Sequence, residues 1–322
     1  MLLQFRVLVI NHFGFRLGRV RFKNNIIHMR MPNFLIVGAA KSGTTSLYRY
    51  LRQHPDIFMP EWKELSLFIG DSFGPLHRAK KPYFYRKAFS KVQNQTAVGE
   101  ASTAYLFDEA APKIIKKQLG TIRIIIILRD PVDMSYSLYN HQLRKEGETI
   151  ENFEEALAKE EDRQADPEFK KTCYGWHANY YYHRRASYYH QVKRYMDTFG
   201  KENILVILFE ELANETLSVV KKAFRFLGVD EAFIPDIKVH NPAGSILNVP
   251  MFWKDTGLFL KTFQFVFSRN LIKKVPHLIR NIGRKPPQPL NEAAAKKLRK
   301  RFYEDICHLE RLIGKDLNAW KS

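Results

Sequence analysis

A glycine-containing loop between an apolar strand and a helix constrains this chain more than any other feature of its sequence. Residues 33–37 predict a short buried strand, and the segment after the loop carries apolar residues at helical spacing. Gly38 and Gly43 stand five residues apart, as the glycines of a phosphate-binding P-loop do. A strand, such a loop and a helix together form the first unit of a protein built on a parallel sheet.

Strands and helices continue to alternate along the chain. Further strands are predicted at 97–100, 122–128 and 204–209. Helices are predicted at 131–144, 151–163, 180–199, 217–227 and 291–312. The acidic charges of the second of these helices are expected to face solvent. Aliphatic strands that alternate with helices indicate a parallel sheet covered by helices on both faces.

The loop lacks the residues that a nucleoside triphosphatase needs. Thr44 stands after the second glycine, where a lysine would reach the β and γ phosphates, and a lysine lies inside the loop instead, at Lys41. The backbone amides at the start of the helix still favour an anion. Arg129 follows the strand at 122–128, and an arginine at the carboxyl end of a parallel strand suits a second phosphate. The residues therefore predict a phosphate site that is not built for ATP.

The charge and cysteine content narrow the class of protein. Lysine and arginine number 52 and aspartate and glutamate 33, so the net charge of +19 suits phosphorylated or sulfated molecules, nucleic acid or an anionic lipid surface. No uninterrupted apolar run of about 18 residues occurs, so we expect no membrane span. Cys173 and Cys307 lie far apart, which disfavours a disulfide scaffold or a structural zinc site and fits a reducing, cytoplasmic location.

Residues 1–30 form a basic extension that contains no acid. Its interleaved aromatic and basic residues fit a peripheral membrane anchor or an organellar transit sequence. The sequence fits equally well a poorly ordered extension, or a true start of the protein at Met29 or Met31. We therefore divide the chain into this extension and one domain at 31–322.

Several motifs occur together, in the order and on the elements in which one enzyme family carries them. Residues 32–51, PNFLIVGAAKSGTTSLYRYL, resemble the 5′-phosphosulfate loop of the sulfotransferases that use 3′-phosphoadenosine 5′-phosphosulfate (PAPS). Residues 129–137, RDPVDMSYS, resemble their 3′-phosphate motif. The resemblance runs from about Pro32 to the end and is nearest to the carbohydrate and heparan-type branch and its bacterial relatives. It implies an α/β fold, a P-loop-like three-layer α/β/α sandwich with a central parallel sheet.

The resemblance also implies a donor site. PAPS is the expected donor, adenosine 3′,5′-bisphosphate (PAP) the product, and no metal is expected. The residues that match the donor-binding motifs are Lys41, Ser42, Gly43, Thr44, Thr45, Ser46, Arg129, Ser137 and Tyr188. Arg284 and Lys285 match part of a Lys-Gly-Arg loop that closes on the donor in the heparan enzymes.

Four residues are predicted to take part in the transfer itself. Lys41 matches the family lysine that stabilises the leaving oxygen, and Glu64 matches the general base of the heparan-type enzymes. His141 is the alternative base or a helper, because it matches a histidine of the N-sulfating relatives. Glu100 is the third candidate, at the end of a strand, where it would brace Lys41 or the substrate. One departure concerns the acceptor: Ala101 stands where the heparan enzymes carry a lysine, so substrate contacts are expected to differ.

The resulting hypothesis is a sulfotransferase that acts on a hydroxyl, or an amine, of a carbohydrate or glycolipid acceptor. The basic extension would add a peripheral membrane contact. One rival is a P-loop nucleotide kinase or hydrolase, which Thr44 and Arg129 disfavour. The other is a noncatalytic nucleic-acid-binding protein, which the net charge suits but for which no compact sequence-specific motif is present. We expect no nucleic-acid partner.

Overall fold

A parallel sheet forms the centre of the molecule. The computed structural model describes residues 17–22, 25–70, 82–145, 147–237 and 289–322. The strands of this sheet are β3 (Phe34–Gly38), β4 (Ile57–Phe58), β5 (Ala97–Ala101), β6 (Arg123–Leu128) and β7 (Ile204–Leu208). Their order is β4-β5-β3-β6-β7, and every neighbouring pair is parallel. The chain extends the sheet first on one side of β3 and then on the other, so the carboxyl ends of β3 and β6 meet at the point where ligands bind in such folds.

Helices cover both faces of the sheet. The helices of the described residues are α1 (Thr44–Leu51), α2 (Pro82–Phe89), α3 (Ala104–Phe107), α4 (Ala111–Leu119), α5 (Pro131–Arg144), α6 (Phe153–Ala158), α7 (Glu160–Ala165), α8 (Pro167–Thr172), α9 (Tyr182–Ala186), α10 (Tyr189–Phe199), α11 (Phe209–Asn214), α12 (Thr216–Leu227), α13 (Glu292–Ile313) and α14 (Asn318–Lys321). Helices α1 and α12 pack on one face, and α3, α4 and α10 pack on the other. The predicted three-layer sandwich is confirmed.

Strand β6 shows why this sheet forms. Every side chain from Ile124 to Leu128 is fully buried, because the strand lies inside the sheet and between two helical layers. Alternate side chains point to opposite faces. Ile125 and Ile127 therefore pack with α1 and α12, while Ile124 and Ile126 face the other layer. Each fully buried aliphatic side chain contributes about 1.5–3 kcal/mol from its removal from water.

The acidic segment at 151–163 is two short helices rather than one. Helices α6 and α7 are separated at Lys159, and α7 begins at Glu160. The Glu160 side chain is buried, and its carboxylate accepts hydrogen bonds from the backbone amides of His183 and Arg184 at 2.8 and 2.9 Å. The expectation that these charges face solvent is therefore wrong for Glu160, which caps the start of α9.

The segment at 180–199 is also broken, into α9 and α10. The carboxylate of Asp305, which lies on α13, accepts a hydrogen bond from the amide of Tyr188 at 2.7 Å and one from that of Tyr189 at 3.2 Å. These bonds satisfy amides that would otherwise lack partners at the start of α10. A distant residue thus supplies the cap that allows the chain to interrupt the predicted helix.

The basic extension contributes an antiparallel hairpin, β1 (Leu17–Phe22) and β2 (Asn25–Arg30). The guanidinium of Arg30 at its end donates hydrogen bonds to the carbonyl oxygens of Gln93, at 2.8 Å, and Gln95. This arginine therefore links the hairpin to the turn before β5. Among the residues described, no helix has both the length and the apolar character needed to cross a bilayer.

We predict that Asp305→Ala lowers the free energy of unfolding by about 1–2 kcal/mol, because it leaves the amides at the start of α10 without acceptors. Urea denaturation monitored by circular dichroism measures this change. Glu304→Ala, at the exposed neighbouring position, is the matched control. Equal losses from the two substitutions would contradict a capping role for Asp305.

Candidate active site

The loop between β3 and α1 is shaped to hold an anion. Gly43 has a φ of +83°, and a Cβ atom there would lie 3.0 Å from the ring of Phe209, so both the backbone and the available space require glycine. The hydroxyl of Ser42 is buried and donates to a carbonyl oxygen of the loop at 3.2 Å. Residues 44–46 form the first turn of α1, where backbone amides and the helix dipole attract negative charge.

Lys41 lies in this loop among other cations. It is one of three non-glycine residues with positive φ in the described part of the chain, at 60°. Burial is the largest cause that lowers its pKa, to about 8, and four nearby positive charges lower it further: those of Arg144, Arg129, Lys145 and Lys63. These four charges are all positive, so a bound anion would relieve their repulsion of the Lys41 ammonium.

Arg129 follows β6 and reaches toward the same loop. Its Nη1 lies 3.4 Å from the backbone oxygen of Lys41, and its Nη2 lies 3.1 Å from Oδ2 of Asp133. The guanidinium also stacks 4.8 Å from the centroid of the Phe209 ring. Its Nε is buried and finds no hydrogen-bond partner within the described ranges. A buried donor without an acceptor is expected where a ligand supplies one.

The next residue, Asp130, begins α5 rather than binding a ligand. Its carboxylate accepts hydrogen bonds from the amides of Val132 at 2.8 Å and Asp133 at 3.2 Å. Arg299 of α13 lies 3.4 Å from the same carboxylate. Ser137 is half-buried on α5, about two turns beyond Asp130, so it lies on the same side of the helix as the cap.

Tyr188 lies under the loop and has its ring enclosed by protein. The residue is 1% exposed, and its ring centroid is 6.4 Å from that of Trp320. Burial raises the pKa of its phenol, and Ser42 and Arg129 are among the groups beside it. No atom in the described part of the protein lies in hydrogen-bonding geometry with this buried hydroxyl. The hydroxyl, rather than the ring, is therefore the part of Tyr188 that lies among the predicted donor residues.

Glu64 approaches the loop from the segment between β4 and β5. Its backbone has a φ of 60°, and its amide donates to the carbonyl oxygen of Ala101 at 2.9 Å. Oε2 of its carboxylate accepts a hydrogen bond from the amide of Thr103 at 2.8 Å. The side chain is still 45% exposed. The carboxylate is thus held in place and open to a second substrate, as a general base requires.

Lys63 belongs to the site although it is not among the predicted site residues. Its Nζ donates to Oγ1 of Thr44 at 3.1 Å and to Oγ1 of Thr45 at 3.0 Å. The same atom lies 3.7 Å from Oε1 of Glu64, and the side chain is 15% exposed. Burial lowers the pKa of Lys63, and the neighbouring Glu64 opposes that effect. Lys63 directly precedes the predicted base Glu64, but nothing in the sequence places Lys63 against the start of α1.

Glu100 lies behind the site. Its carboxylate is buried and accepts hydrogen bonds from the hydroxyls of Tyr105 at 2.6 Å and Ser102 at 3.0 Å. Each of these hydroxyl oxygens also accepts a hydrogen bond from a backbone amide of the segment 66–68. The amide of Phe68 donates to Tyr105 at 3.4 Å, and that of Ser66 donates to Ser102 at 3.0 Å. The group that Glu100 braces is therefore the backbone that follows Glu64.

His141 is half-buried on α5, close to Lys41. Burial is the main cause that lowers the pKa of its imidazole, to about 3, and the positive charges of Lys41, Lys145 and Arg144 add to the effect. The ring is therefore neutral near pH 7 and a weak base in the free protein.

The remaining candidates add less to the described site. Arg284 and Lys285 lie outside the described residues. Ala101 is buried in β5, so the position where the heparan enzymes carry a lysine offers only a methyl group here. Within the ranges described above, no group of three or more His, Cys, Asp or Glu side chains is arranged to hold a metal ion.

We predict that Glu100 makes the stability of the protein depend on pH. Burial raises its pKa from 4.5 to about 7, so the stability that its protonation contributes is fully present below about pH 4.5 and is lost as the pH rises through 7. Glu100→Gln stays neutral, so its free energy of unfolding should improve relative to the unsubstituted protein by on the order of 2 kcal/mol between about pH 5 and 8. Urea titrations across this range test it, with exposed Glu154→Gln as the matched control. A difference independent of pH would contradict the prediction.

Two comparisons cover most of this chain. Residues 31–240 match the family model described as the sulfotransferase domain. The crystal structure of a sulfotransferase from Alicyclobacillus acidocaldarius is 33% identical and superposes with a TM-score of 0.69. That match covers 91% of this chain and 99% of the other.

Curated relatives match over shorter stretches. The bifunctional heparan sulfate N-deacetylase/N-sulfotransferase 4 of Mus musculus is 29% identical over 211 residues, which is 62% of this chain and 22% of the relative. A membrane-associated sulfotransferase of Dictyostelium discoideum is 34% identical over 118 residues, which is 35% of this chain and 24% of the relative. The chain therefore spans less than a quarter of the length of these relatives. With the family model, the parallel sheet and the glycine-containing loop between β3 and α1 in agreement, the chain belongs to the sulfotransferase family, the enzymes that take a sulfuryl group from PAPS.

Proposed function

We propose that this sulfotransferase transfers a sulfuryl group from PAPS to a hydroxyl, or an amine, of a carbohydrate or glycolipid. The observation that carries the donor side is the position of Lys41, half-buried in the loop near four other cations. The acceptor class is supported by the relative named for heparan sulfate N-sulfation. The exposed carboxylate of Glu64, held beside the loop by Lys63, supports a base on the acceptor side.

The surroundings of each residue suggest its task. PAPS supplies the activated sulfuryl group, and in-line transfer leaves negative charge on the oxygen that departs with the 5′-phosphate. Lys41 stabilises that charge, because its ammonium lies near four other cations whose repulsion a new anion would relieve. Glu64 accepts the proton of the acceptor hydroxyl while the amide of Thr103 fixes its orientation. His141, neutral beside Lys41, acts as a helper, and Glu100 supports the backbone that carries the base.

The donor residues divide into two groups in this proposal. The amides and side chains from Lys41 to Ser46 hold the 5′ end, and Arg129 with Ser137 holds the 3′-phosphate. The hydroxyl of Tyr188 lies between the two groups, beside Ser42 and Arg129. Arg284 and Lys285 remain predicted donor-closing residues.

We also propose that residues 31–322 form the catalytic domain and that the basic extension makes a peripheral membrane contact on the cytoplasmic side. The match of the family model begins at residue 31, which supports the boundary. The membrane-associated relative supports the contact.

Calorimetry without magnesium tests the donor assignment. We expect the protein to bind PAP more tightly than adenosine 5′-phosphate or ATP. Arg129→Ala should weaken PAP binding by about 10- to 100-fold, because a charge-assisted contact to the 3′-phosphate is lost, and should weaken adenosine 5′-phosphate binding far less. Equal losses of affinity for the two nucleotides would show that Arg129 does not bind the 3′-phosphate. A preference for magnesium-ATP would instead favour the kinase rival.

We predict that PAP binding weakens as the pH rises through 8. Lys41 has a pKa of about 8 in the free protein, and a bound anion favours its charged form. Binding at pH 8 should therefore take up part of a proton, and affinity should be highest below that pH. Calorimetry in two buffers of different ionisation enthalpy measures the uptake. Lys41→Met should remove it and Lys113→Met, at an exposed position on α4, should not. Uptake that persists in Lys41→Met would exclude Lys41 as its source.

A further inference from the structure

An exposed strip of aromatic and basic side chains lies next to Glu64. We call Trp62, Lys87 and Tyr83 the aromatic strip. Trp62 is 45% exposed, and Nζ of Lys87 lies 5.9 Å from the centroid of its ring. Tyr83 is 68% exposed and lies one turn before Lys87 on α2, so the two side chains share a face of that helix. Large aromatic side chains are seldom left in water without a binding role when they stand together.

The charge around the aromatic strip is mainly positive. Arg49, on α1, and Arg52, just after its end, are exposed and close enough to the segment 61–63 to affect its ionisable groups. Glu61 is neutralised by Lys91, whose Nζ lies 2.9 Å from Oε1 of that carboxylate. A surface of exposed rings between cations suits a ligand that has both apolar faces and negative groups.

We propose that the aromatic strip binds the acceptor, an oligosaccharide that carries carboxylate or sulfate groups, and directs one of its hydroxyl or amine groups to Glu64. This rests on the proposed function and names the surface that recognises the acceptor. The apolar C–H faces of sugar rings pack on Trp62 and Tyr83, while Lys87 pairs with a negative group between them. Trp62 and Glu64 are two residues apart, so their Cα atoms are separated by at most about 7.6 Å.

The carboxylate of Glu64, next to the aromatic strip, favours a saccharide over a nucleic acid strand. A strand presents a phosphate at every step, and the partly exposed carboxylate of Glu64 would repel one placed beside it. An oligosaccharide can present an uncharged hydroxyl at that point and place its negative groups on the cations further along. The same hydroxyl is the group whose proton Glu64 would remove.

Binding measurements on the full chain, saturated with PAP, test the proposal. The probe is a desulfated heparin octasaccharide that keeps its carboxylates, compared with neutral maltooctaose and a single-stranded oligonucleotide. Trp62→Ala should raise the Kd of the heparin probe by about 5- to 10-fold, and Lys87→Gln by about 2- to 5-fold with a weaker salt dependence. Trp62→Phe keeps a ring and should stay within about 3-fold of the original Kd.

Tyr303→Ala and Lys171→Gln are the matched controls, since both residues are exposed on other helices, and both should leave the Kd of the octasaccharide unchanged. Binding of PAP should stay within about 2-fold in every variant. Unchanged octasaccharide binding in Trp62→Ala and Lys87→Gln would overturn the proposal. So would equal binding of maltooctaose, tighter binding of the oligonucleotide, or no binding of the heparin probe. Failure of the unsubstituted protein to bind PAP would overturn the proposed function instead.

Discussion

One ammonium group joins the two halves of the site. Nζ of Lys63 is shared between the hydroxyls of Thr44 and Thr45 and the carboxylate of Glu64. The hydroxyls belong to the helix start that faces the anion-binding loop, and the carboxylate belongs to the segment that carries the proposed base. Because the side chain of Lys63 is largely buried, water screens this contact less than it would screen a fully exposed ion pair. It fixes the distance between loop and base before either substrate arrives.

The same contact accounts for a loop that has the glycines of a P-loop without its lysine. Thr44 occupies the lysine position, and Lys63 brings a positive charge to its hydroxyl from a segment after β4. Lys41 supplies a second charge from within the loop, where its left-handed backbone sets its direction. The acid after Arg129 is used differently too, since Asp130 caps α5. The backbone cradle is thus retained while its positive charges come from new positions.

Features fixed by local chemistry could be predicted from the sequence, and those fixed by distant partners could not. Helix α5 spans 131–144 as expected, because a proline and a capping Asp130 stand at its start. Strand β6 is also predictable, because a short, uninterrupted aliphatic run rich in isoleucine is typical of a strand buried on both faces. The break before α10 depends on Asp305. Its carboxylate accepts a hydrogen bond from the amide of Tyr188, which is 117 residues away in the sequence. Lys63 likewise donates a hydrogen bond to Thr44, and the residues around Lys63 in the sequence do not predict this contact.

The two sides of the proposed site differ in how much the fold constrains them. On the donor side, Ser42 and Tyr188 are fully enclosed, so a substitution there disturbs packing as well as binding. Position 101 is constrained in a similar way, since its backbone holds Glu64 and its side chain is buried. An anionic acceptor therefore cannot be recognised by a cation at position 101, where the heparan enzymes carry a lysine. The exposed cations beside Glu64, on α1 and α2, are free of that constraint and can vary without altering the sheet or the loop.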